Sequence, residues 1–312
     1  MKNVFISDIS AGEVIENIIL GVGRIDELKD KNGNTYADVE FVDKSGKLKG
    51  KIWSERLDRI ESASRIPGSI VKVSGVVSEF RGEKQMVVHE MFLEDKESYS
   101  ISDFVVTAKK DIDDMWMVLL DYIDKVEDPE IKKLLDETID KYGKELKTSP
   151  AAERLHHAYV GGLLDHMLEM FGLAEKLLET YTEANYDIIT AGIIFHDLGK
   201  SQELELDGFT IKRTIKGRLI GHLILSLEIF LELAKDLEEV KRMKIEHLIL
   251  SHHGILEYGS PIVPKTLEAI ILHKIDDASG TIRQYKRLID ESEDGADFSN
   301  RDWAIGTDIY LN

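Results

Sequence analysis

The sequence predicts a multidomain β + α protein: a small five-stranded barrel, a helical connector and a C-terminal all-α domain. Three observations predict this class. Up to about residue 95, apolar and polar side chains alternate with a period of two, which is typical of half-buried strands. From about residue 103 the apolar period becomes that of amphipathic helices. Nine of the ten histidines lie within residues 156–273, in the predicted helical part.

Length and composition fit a globular protein. The 312 residues suffice for two domains of ordinary size, and 43% of them are apolar and 32% charged. No apolar run reaches the roughly 18 residues of a membrane span, and the first residues lack the apolar stretch of a signal peptide. The absence of cysteine excludes disulfides, thiolate metal ligands and a cysteine nucleophile. These features predict a cytoplasmic protein with no membrane partner.

The charge of the chain is strongly acidic and unevenly distributed. A net charge of -19 argues against a general nucleic-acid groove, because phosphate binding leaves a basic footprint. Residues 1–98 hold 15 basic and 18 acidic side chains, whereas residues 99–312 hold 25 basic and 41 acidic ones. If the chain meets a polyanion, the N-terminal part is the less repulsive one. The acidic remainder needs cations to approach phosphate.

The first 98 residues contain the predicted strands. These strands cover residues 17–29, 35–43, 47–53, 69–80 and 85–93. In the second strand Ala37, Val39 and Phe41 share one face, as the alternation of side chains requires. The last two strands are joined by a short turn around Gly82, which predicts a hairpin. About five strands in under 100 residues indicate a small closed barrel.

One face of the third predicted strand, together with the hairpin turn, is basic and aromatic. Its residues are Lys47, Lys49, Lys51, Trp53, Arg81 and Lys84. Small barrels bind single-stranded nucleic acids through basic grooves and aromatic side chains on which the bases stack. The pattern therefore predicts a nucleic-acid face here. The alternative is a solvated strand face on which Trp53 packs against its own connector.

The rest of the chain is predicted to be helical. The segments 113–126 and 128–146 are amphipathic and form the connector, and Pro129 lies near the start of the second, where its missing N–H costs little. The remaining predicted helices cover residues 152–180, 186–199, 217–235, 238–253 and 264–290.

Five helical segments offer an imidazole or a carboxylate at an apolar helix or at its end. The residues are His166, His196, Asp197, His222, His252 and Asp276. A single histidine on an apolar face is more often a hydrogen-bonded core residue, and this interpretation is kept for His156, His157, His247 and His273. An unpaired buried carboxylate is costly, so the aspartates in these segments require a cation. Together the five segments predict a metal site between helices, since imidazole and carboxylate bind Mn, Fe, Co, Ni and Zn.

The order of these residues resembles the H…HD…D signature of the HD superfamily of metal-dependent phosphohydrolases. The signature is carried by His166, His196, Asp197 and Asp276. The added His222 and His252 resemble the six-ligand branch that can hold two metals. The motif HHG is not followed by a G-x-G-Y-P run, which argues against the cyclic-dinucleotide HD-GYP branch.

Over nearly its whole length the sequence resembles the YhaM-type 3′–5′ exoribonucleases. An OB-like barrel is followed, in order, by HHAYVGGLLDH, FHDLGK, IGH, SHHG and YGSPIVPKTLEAIILHKIDD. Asp165 stands where glutamate is expected and IDDASG is a variant ending, but neither departure removes a proposed ligand. The resemblance implies an OB-fold nucleic-acid-binding domain in residues 1–98, the connector in 99–150 and an HD domain in 151–312.

The resemblance implies an enzyme that hydrolyses phosphodiester bonds of single-stranded RNA, and of single-stranded DNA as a second candidate, from the 3′ end. One ion would be held by His166, His196, Asp197 and Asp276, and a second by His222 and His252, with Asp197 bridging. Ligand type favours Mn²⁺, followed by Co²⁺, Fe and Ni²⁺. Lys200 would contact a phosphate oxygen beside Asp197, or alternatively serve as a cation favoured at a helix C-terminus. His157 and His253 are candidates for contacts to the ligands or the substrate.

Two other functions stay open at this point. One is an HD-type nucleotidase that acts on small nucleotides and uses the barrel for regulation. The other is a non-catalytic nucleic-acid-binding protein with a vestigial metal site, which the intact six-residue ligand set disfavours. The dependence of activity on substrate length separates the first from an exonuclease, and metal content tests the second. The sequence does not decide whether the substrate is RNA or DNA, which metal is bound, or whether the chain forms a homo-oligomer.

Overall fold

The computed structural model describes residues 2, 4–80, 82–105, 107–108, 110–153, 157–292 and 295–311. The chain divides into two compact units. One unit comprises Met1–Val106 and Leu206–Thr210, and the other comprises Thr107–Glu205 and Ile211–Asn312. The two predicted connector helices therefore belong to the same unit as the C-terminal helices. The domain boundaries at residues 98 and 150 stay predictions.

The first unit contains a closed barrel of five strands, as the alternating pattern predicts. The strands are β1 (Val14–Lys29), β2 (Thr35–Asp43), β3 (Gly46–Ile52), β4 (Ile70–Phe80) and β5 (Glu83–Leu93). They pair in the order β1–β2–β3–β5–β4, and β4 closes the barrel on β1. Only the β3–β5 pairing is parallel. The short helix α1 (Ser54–Leu57) follows β3.

The interior of the barrel is filled by the predicted apolar faces of its strands. Ala37, Val39 and Phe41 of β2 are all buried. Gly50 of β3 lies against them, and a Cβ at this position would lie 2.6 Å from both the Phe41 ring and the Val39 side chain. Glycine is therefore required at this close approach, and the opposite face of β3 is left to the lysines.

From residue 107 onward the described chain is mainly helical. The elements are α2 (Ile112–Asp124), α3 (Pro129–Thr148), α4 (Gly162–Thr180), α5 (Tyr186–Phe195), α6 (Lys200–Glu203), β6 (Leu204–Asp207), β7 (Thr210–Arg213), α7 (Ile215–Ile220), α8 (His222–Leu233), α9 (Glu239–Ser251) and α10 (Leu267–Glu291). Asp111 and Asp128 begin α2 and α3, where each carboxylate accepts hydrogen bonds from two backbone N–H groups of the first turn. Of the helices in the described residues, none has the length and the apolar composition required to traverse a lipid bilayer.

Two predicted helices are too long because glycines interrupt them. The helix predicted over residues 152–180 begins only at Gly162, since the preceding Gly161 has φ 79° and lies in the left-handed region. The helix predicted over residues 217–235 is divided into α7 and α8 by Gly221, whose φ of 80° and ψ of 154° are not helical. Hydrophobic periodicity continues across such positions and does not reveal the break.

Two further differences concern the segment between α5 and α7. The helix predicted over residues 186–199 ends as α5 at Phe195, and a turn leads into the short α6. The β6–β7 hairpin turns at Gly208, which has φ 64°, and this hairpin is not among the elements predicted from the sequence. Strands of four residues are too short to establish a period of two.

Helix α5 lies at the centre of the helical unit. It packs against α3, α4, α8, α9 and α10, and its residues from Asp187 to Phe195 are all buried. A Cβ at Gly192 would lie 2.4 Å from the Leu248 side chain, so glycine allows α9 to approach closely. A helix that is apolar on every side belongs in a core. Its C-terminal end therefore places the following residues, His196 and Asp197, inside the protein.

Candidate metal centre

The Asp197 carboxylate lies at the centre of a group of imidazoles. Its Oδ2 is 3.3 Å from Nε2 of His196 and 3.8 Å from Nε2 of His166. Its Oδ1 is 3.5 Å from Nε2 of His222 and 3.8 Å from Nε2 of His252. The two oxygens thus face different pairs of histidines, which is the arrangement expected of a bridging carboxylate.

The potential ligand atoms form two groups on either side of Asp197. The first group consists of His166, His196 and Asp276, and the second of His222, His252 and His253. Within each group the ligand atoms lie within 4.8 Å of one another. All six predicted ligands therefore lie close together, although they come from α4, the end of α5, α8, the end of α9 and α10, and their role as metal ligands stays a prediction.

Gly199 allows α8 to reach this centre. A Cβ at Gly199 would lie 2.3 Å from the carbonyl oxygen of His222 and 2.4 Å from the backbone nitrogen of Ser226. The Gly199 N–H donates to Ser226 Oγ at 2.8 Å, and this hydroxyl donates to the His196 carbonyl at 2.9 Å. The glycine of HDLGK thus joins the turn after α5 to the start of α8, where His222 lies.

Every imidazole of the two groups uses Nδ1 outside the centre and points Nε2 into it. Three Nδ1 atoms contact backbone carbonyls. His196 Nδ1 lies 2.8 Å from the Ile193 carbonyl oxygen, and His252 Nδ1 lies 2.8 Å from that of Ile249. His253 Nδ1 lies 2.9 Å from the Tyr258 carbonyl oxygen. A carbonyl oxygen only accepts hydrogen bonds, so Nδ1 carries the proton in these rings. In the neutral ring, Nε2 then offers its lone pair to a ligand.

The other two imidazoles are oriented by side chains. His222 Nδ1 lies 3.0 Å from Glu203 Oε2, and His166 Nδ1 lies 3.2 Å from Ser279 Oγ. Ser279 donates its own proton to Glu169 Oε2 at 2.8 Å, so its oxygen is left to accept from His166. These contacts select the same tautomer for both rings as the carbonyl contacts do for the others.

Glu169 is held as an ion by its neighbours. Arg283 Nε donates to its two carboxylate oxygens at 3.0 and 3.1 Å, and His157 Nε2 lies 3.2 Å from Oε2. Burial alone would raise the pKa of Glu169, but the hydrogen bonds from His157, Arg283 and Ser279 outweigh it and lower the pKa to about 2. The charged Glu169 therefore remains an acceptor for Ser279 across the neutral range.

The ionisable groups at the centre differ in charge, and Asp197 raises the pKa of His196 against the effect of burial. Burial opposes ionisation of Asp197, but Lys200 and His196 outweigh it and hold the pKa of Asp197 well below its usual range. Burial likewise opposes ionisation of Asp276, whose pKa is lowered by the hydrogen bond to His166 and the neighbouring imidazoles. Burial, followed by the nearby His196, lowers the pKa of His252 well below its usual range. The carboxylates are thus ionised while His252 is neutral.

Asp197 Oδ1 provides the test of whether a metal fits. This oxygen is buried, and none of the described residues donates a hydrogen bond to it. An unpartnered buried carboxylate oxygen is costly, because it has lost its hydration without compensation. It faces the Nε2 atoms of His222 and His252. Imidazole nitrogens and carboxylate oxygens both bind divalent first-row metals. The donor set therefore fits a divalent cation.

Three other predicted site residues lie close by. Lys200 Nζ is 2.6 Å from Asp197 Oδ2, and 18% of the Lys200 side chain is exposed. His253 belongs to the second ligand group, although the sequence analysis proposes it only for contacts to ligands or substrate. His157 is buried, has φ 53° and contacts Glu169, with its ring centre 5.3 Å from that of His166.

The residues that orient the imidazoles are not among those predicted from the sequence. They are Glu203, Ser279, Glu169 and Arg283. The contacts span 19 residues from Glu203 to His222 and 113 from His166 to Ser279. No local spacing relates such residues, so the sequence carried no signal that could have found them.

The three lysines of β3 are paired with acidic side chains. Lys47 lies 2.9 Å from Glu40 and Lys51 lies 3.4 Å from Asp38, while Lys49 pairs with Glu83. These pairs are largely exposed. A phosphate group must displace the paired carboxylate before it can bind one of these lysines. The face is therefore basic in sequence but close to neutral in local charge.

An aromatic pair lies on this face beside the lysines. Trp53 is 45% exposed, and its ring centre lies 5.7 Å from that of Tyr36 of β2. Lys51 Nζ lies 4.6 Å from the centre of the Tyr36 ring and 5.1 Å from that of Trp53. Lys84 donates to the Ile9 carbonyl at 2.5 Å, and Arg81 lies outside the described residues.

Family models match both parts of the chain. A model of the HD domain matches residues 163–280, and one of the OB-fold nucleic acid binding domain matches residues 22–94. A third model, described as a helicase, matches residues 124–188.

Curated relatives extend the similarity to most of the chain. The 3'-5' exoribonuclease YhaM of Bacillus licheniformis is 33% identical over 280 residues, which cover 88% of this chain and 87% of the relative. The chain belongs to the YhaM family. The YhaM protein of Listeria innocua is 31% identical over 312 residues, and the alignment covers 98% of this chain and 97% of the relative.

Family membership and the architecture together confirm the predicted fold class. A five-stranded OB-fold barrel is followed by a helical HD domain, as in the matched family models. Among solved structures, the second OB-fold domain of replication protein A from Methanococcus maripaludis matches 31% of this chain and 97% of its own. That match has 23% identity and a TM-score of 0.24, so the YhaM relatives carry the assignment.

Proposed function

We propose that this chain is a metal-dependent 3′–5′ exoribonuclease that hydrolyses the phosphodiester bonds of single-stranded RNA. The observation that supports it most is the convergence of five Nε2 atoms and the Asp276 carboxylate around the buried Asp197. The YhaM relatives carry this activity in their names. The proposal includes the cytoplasm as location and single-stranded DNA as a second substrate.

The proposed ligands form two sets that share Asp197. The first set is His166, His196, Asp276 and Asp197 Oδ2, and the second is His222, His252, His253 and Asp197 Oδ1. Bound divalent ions supply positive charge against the developing charge of the phosphoryl group and a water of lowered pKa. Imidazole and carboxylate ligands favour Mn²⁺ for both sites, followed by Co²⁺, Fe and Ni²⁺.

Lys200 is proposed to act on the substrate while it holds Asp197. Burial would lower the pKa of Lys200, but Asp197 outweighs it and raises the pKa, so the ammonium stays charged. An ammonium group has three donors, and the partial exposure of this side chain leaves room for a non-bridging phosphate oxygen. The alternative role of Lys200 is to hold Asp197 Oδ2 only.

The barrel is proposed to bind single-stranded RNA. Tyr36 and Trp53 form the stacking surface, because a nucleic-acid base of any kind can stack on an aromatic ring at the surface. The division of labour follows the proposed domains: residues 1–98 bind RNA, residues 99–150 connect, and residues 151–312 hydrolyse it. The acidic charge of the last part suits cation binding more than direct binding of RNA.

A polarity assay tests the proposal. Two end-labelled RNAs of the same sequence, one blocked at the 3′ end and one at the 5′ end, are incubated with Mn²⁺ and resolved by length. We expect a ladder that shortens from the free 3′ end and no products from the 3′-blocked RNA. Cuts within the chain, or a preference for mononucleotide esters over RNA, would reject the exonuclease and favour the HD-type nucleotidase. An inactive protein that binds no metal would favour the non-catalytic alternative.

A further inference from the structure

A cavity of about 250 Å³ adjoins the second ligand group. Its lining consists of His252, His253, Tyr258, His273, Asp276 and Asp277. His252, His253 and Asp276 belong to the proposed metal centre, whereas the side chains of Tyr258, His273 and Asp277 lie outside it. None of the described lining residues is a lysine or an arginine, so the cavity offers no cationic side chain to a phosphate.

His273 is locked in this lining with one nitrogen available. Its Nδ1 contacts the His252 carbonyl at 2.8 Å, so Nδ1 carries the proton and Nε2 of the neutral ring holds a lone pair. Gly254 has φ 83°, and a Cβ there would lie 2.1 to 2.4 Å from three atoms of the His273 ring. Glycine thus permits the ring to occupy its place. The described residues provide no hydrogen-bond partner for Nε2.

The free groups of the cavity are hydrogen-bond acceptors. His273 belongs to neither ligand group, and the exposed Asp277 follows the proposed ligand Asp276 on α10. A lone pair on Nε2 and a carboxylate both accept hydrogen bonds and both disfavour phosphate. Hydroxyl groups are the complementary donors, and the 3′ end of RNA carries two of them on one ribose. Tyr258, which is 69% exposed, places an aromatic ring beside them.

We propose that His273 and Asp277 bind the ribose hydroxyls of the 3′-terminal nucleotide of the substrate. The inference rests on the proposed exoribonuclease function, which requires a free 3′ terminus to lie next to the metal centre. His273 Nε2 accepts a hydrogen bond from one hydroxyl, and Asp277 accepts from the other. The subsite thereby recognises a strand end, because an internal nucleotide has its 3′ oxygen esterified.

Two substitutions separate this role from a structural one. In His273→Asn the side-chain amide can still donate to the His252 carbonyl, but no atom remains at the position of Nε2. In His273→Gln an amide group reaches the position of Nε2 and restores an acceptor there. The matched control is Lys274→Gln, which changes the exposed neighbour on the same helix. Mn²⁺ content is measured for all variants, because none of these residues is a proposed ligand.

The substrates are three RNAs of one sequence whose terminal nucleotide is unmodified, 2′-deoxy or 3′-deoxy. We expect wild type and Lys274→Gln to show about tenfold lower kcat/KM on each deoxy end, the value of a lost hydrogen bond. His273→Asn should lose this discrimination on one of the two deoxy ends only, with unchanged Mn²⁺ content, and that end identifies the hydroxyl that His273 binds. His273→Gln should recover part of the lost discrimination. Dissociation constants of the same RNAs, measured by fluorescence anisotropy in chelator, should follow the same order.

Two results would overturn the subsite. One is a His273→Asn variant that discriminates as wild type does. The other is an equal loss of rate on all three RNAs with lower Mn²⁺ content, which would mean that His273 only supports the His252 ligand. A wild-type protein that does not shorten the unmodified RNA from its 3′ end would refute the proposed function, and the inference with it.

Discussion

Glu203 Oε2 lies 3.0 Å from Nδ1 of His222, and Glu203 is only 5% exposed. Burial opposes ionisation of this carboxyl, but the hydrogen bond with His222 outweighs it and lowers the pKa of Glu203. A charged acceptor on Nδ1 orients the ring and makes its Nε2 a stronger ligand. Glu203 therefore supports the second proposed metal site from outside it.

The first prediction tests this contact. Glu203→Gln should weaken Mn²⁺ binding at the second site by roughly 10- to 100-fold, since a neutral amide holds the imidazole less firmly. Isothermal titration calorimetry of the metal-free protein measures the affinity. The control is Glu205→Gln, because Glu205 is an exposed neighbour on β6. Equal affinities in wild type and Glu203→Gln would show that the contact does not tune the site.

The second prediction concerns the bridging role of Asp197. Asp197→Asn should lower the content of both ions and the rate of RNA hydrolysis, because each oxygen faces a different ligand group. The loss of activity should exceed the roughly 100-fold typical of a group that only supports a ligand. His253→Asn should instead lower only one of two bound ions. The number of bound ions is measured by elemental mass spectrometry after gel filtration in Mn²⁺. An Asp197→Asn protein that keeps two ions and full activity would contradict the assignment.

The third prediction tests the stacking surface of the barrel. Trp53→Ala should weaken binding of a long single-stranded RNA by roughly tenfold, because stacking on an aromatic side chain contributes about 1–3 kcal/mol per base. Trp303→Ala is the control, since Trp303 is 80% exposed and lies outside the barrel. Anisotropy in chelator gives both affinities. Unchanged binding by Trp53→Ala and by Lys49→Glu/Trp53→Ala would remove this face from the RNA-binding role.

The fourth prediction is a dependence of stability on pH. Glu169 has its pKa lowered from 4.5 to about 2 in the folded protein, so the unfolded chain takes up a proton first as pH falls. The stability that Glu169 contributes is complete above about pH 4.5 and is lost as pH falls towards 2; the shift corresponds to about 3 kcal/mol. Unfolding temperatures are measured by circular dichroism at 222 nm in chelator. The values for wild type and Glu169→Gln should differ by a constant amount from pH 7 to 5 and should converge below pH 5. A difference that does not change with pH would show that Glu169 is not ionised in the native network.

Much of the architecture follows from local pattern. The alternation of Ala37, Val39 and Phe41 places their side chains inside the barrel wherever β2 lies, because successive side chains of a strand point to opposite faces. The apolar stretch that ends in His196 and Asp197 must be buried, since its residues are apolar on every side of the helix. A carboxylate that is buried in a core requires a cation, and for this reason the sequence predicts a metal centre.

What the sequence determined by itself is therefore the order of barrel and helices and the residue types that can bind a metal. The tertiary structure alone decided which atoms face each other: Nε2 of five histidines around Asp197, the place of His253 among the ligands, and the acids that pair with the barrel lysines. It also decided where helices break, at Gly161 and Gly221. Periodicity is a property of neighbours in the chain, whereas the contact of His166 with Ser279 joins residues 113 positions apart and depends on how α4 packs against α10.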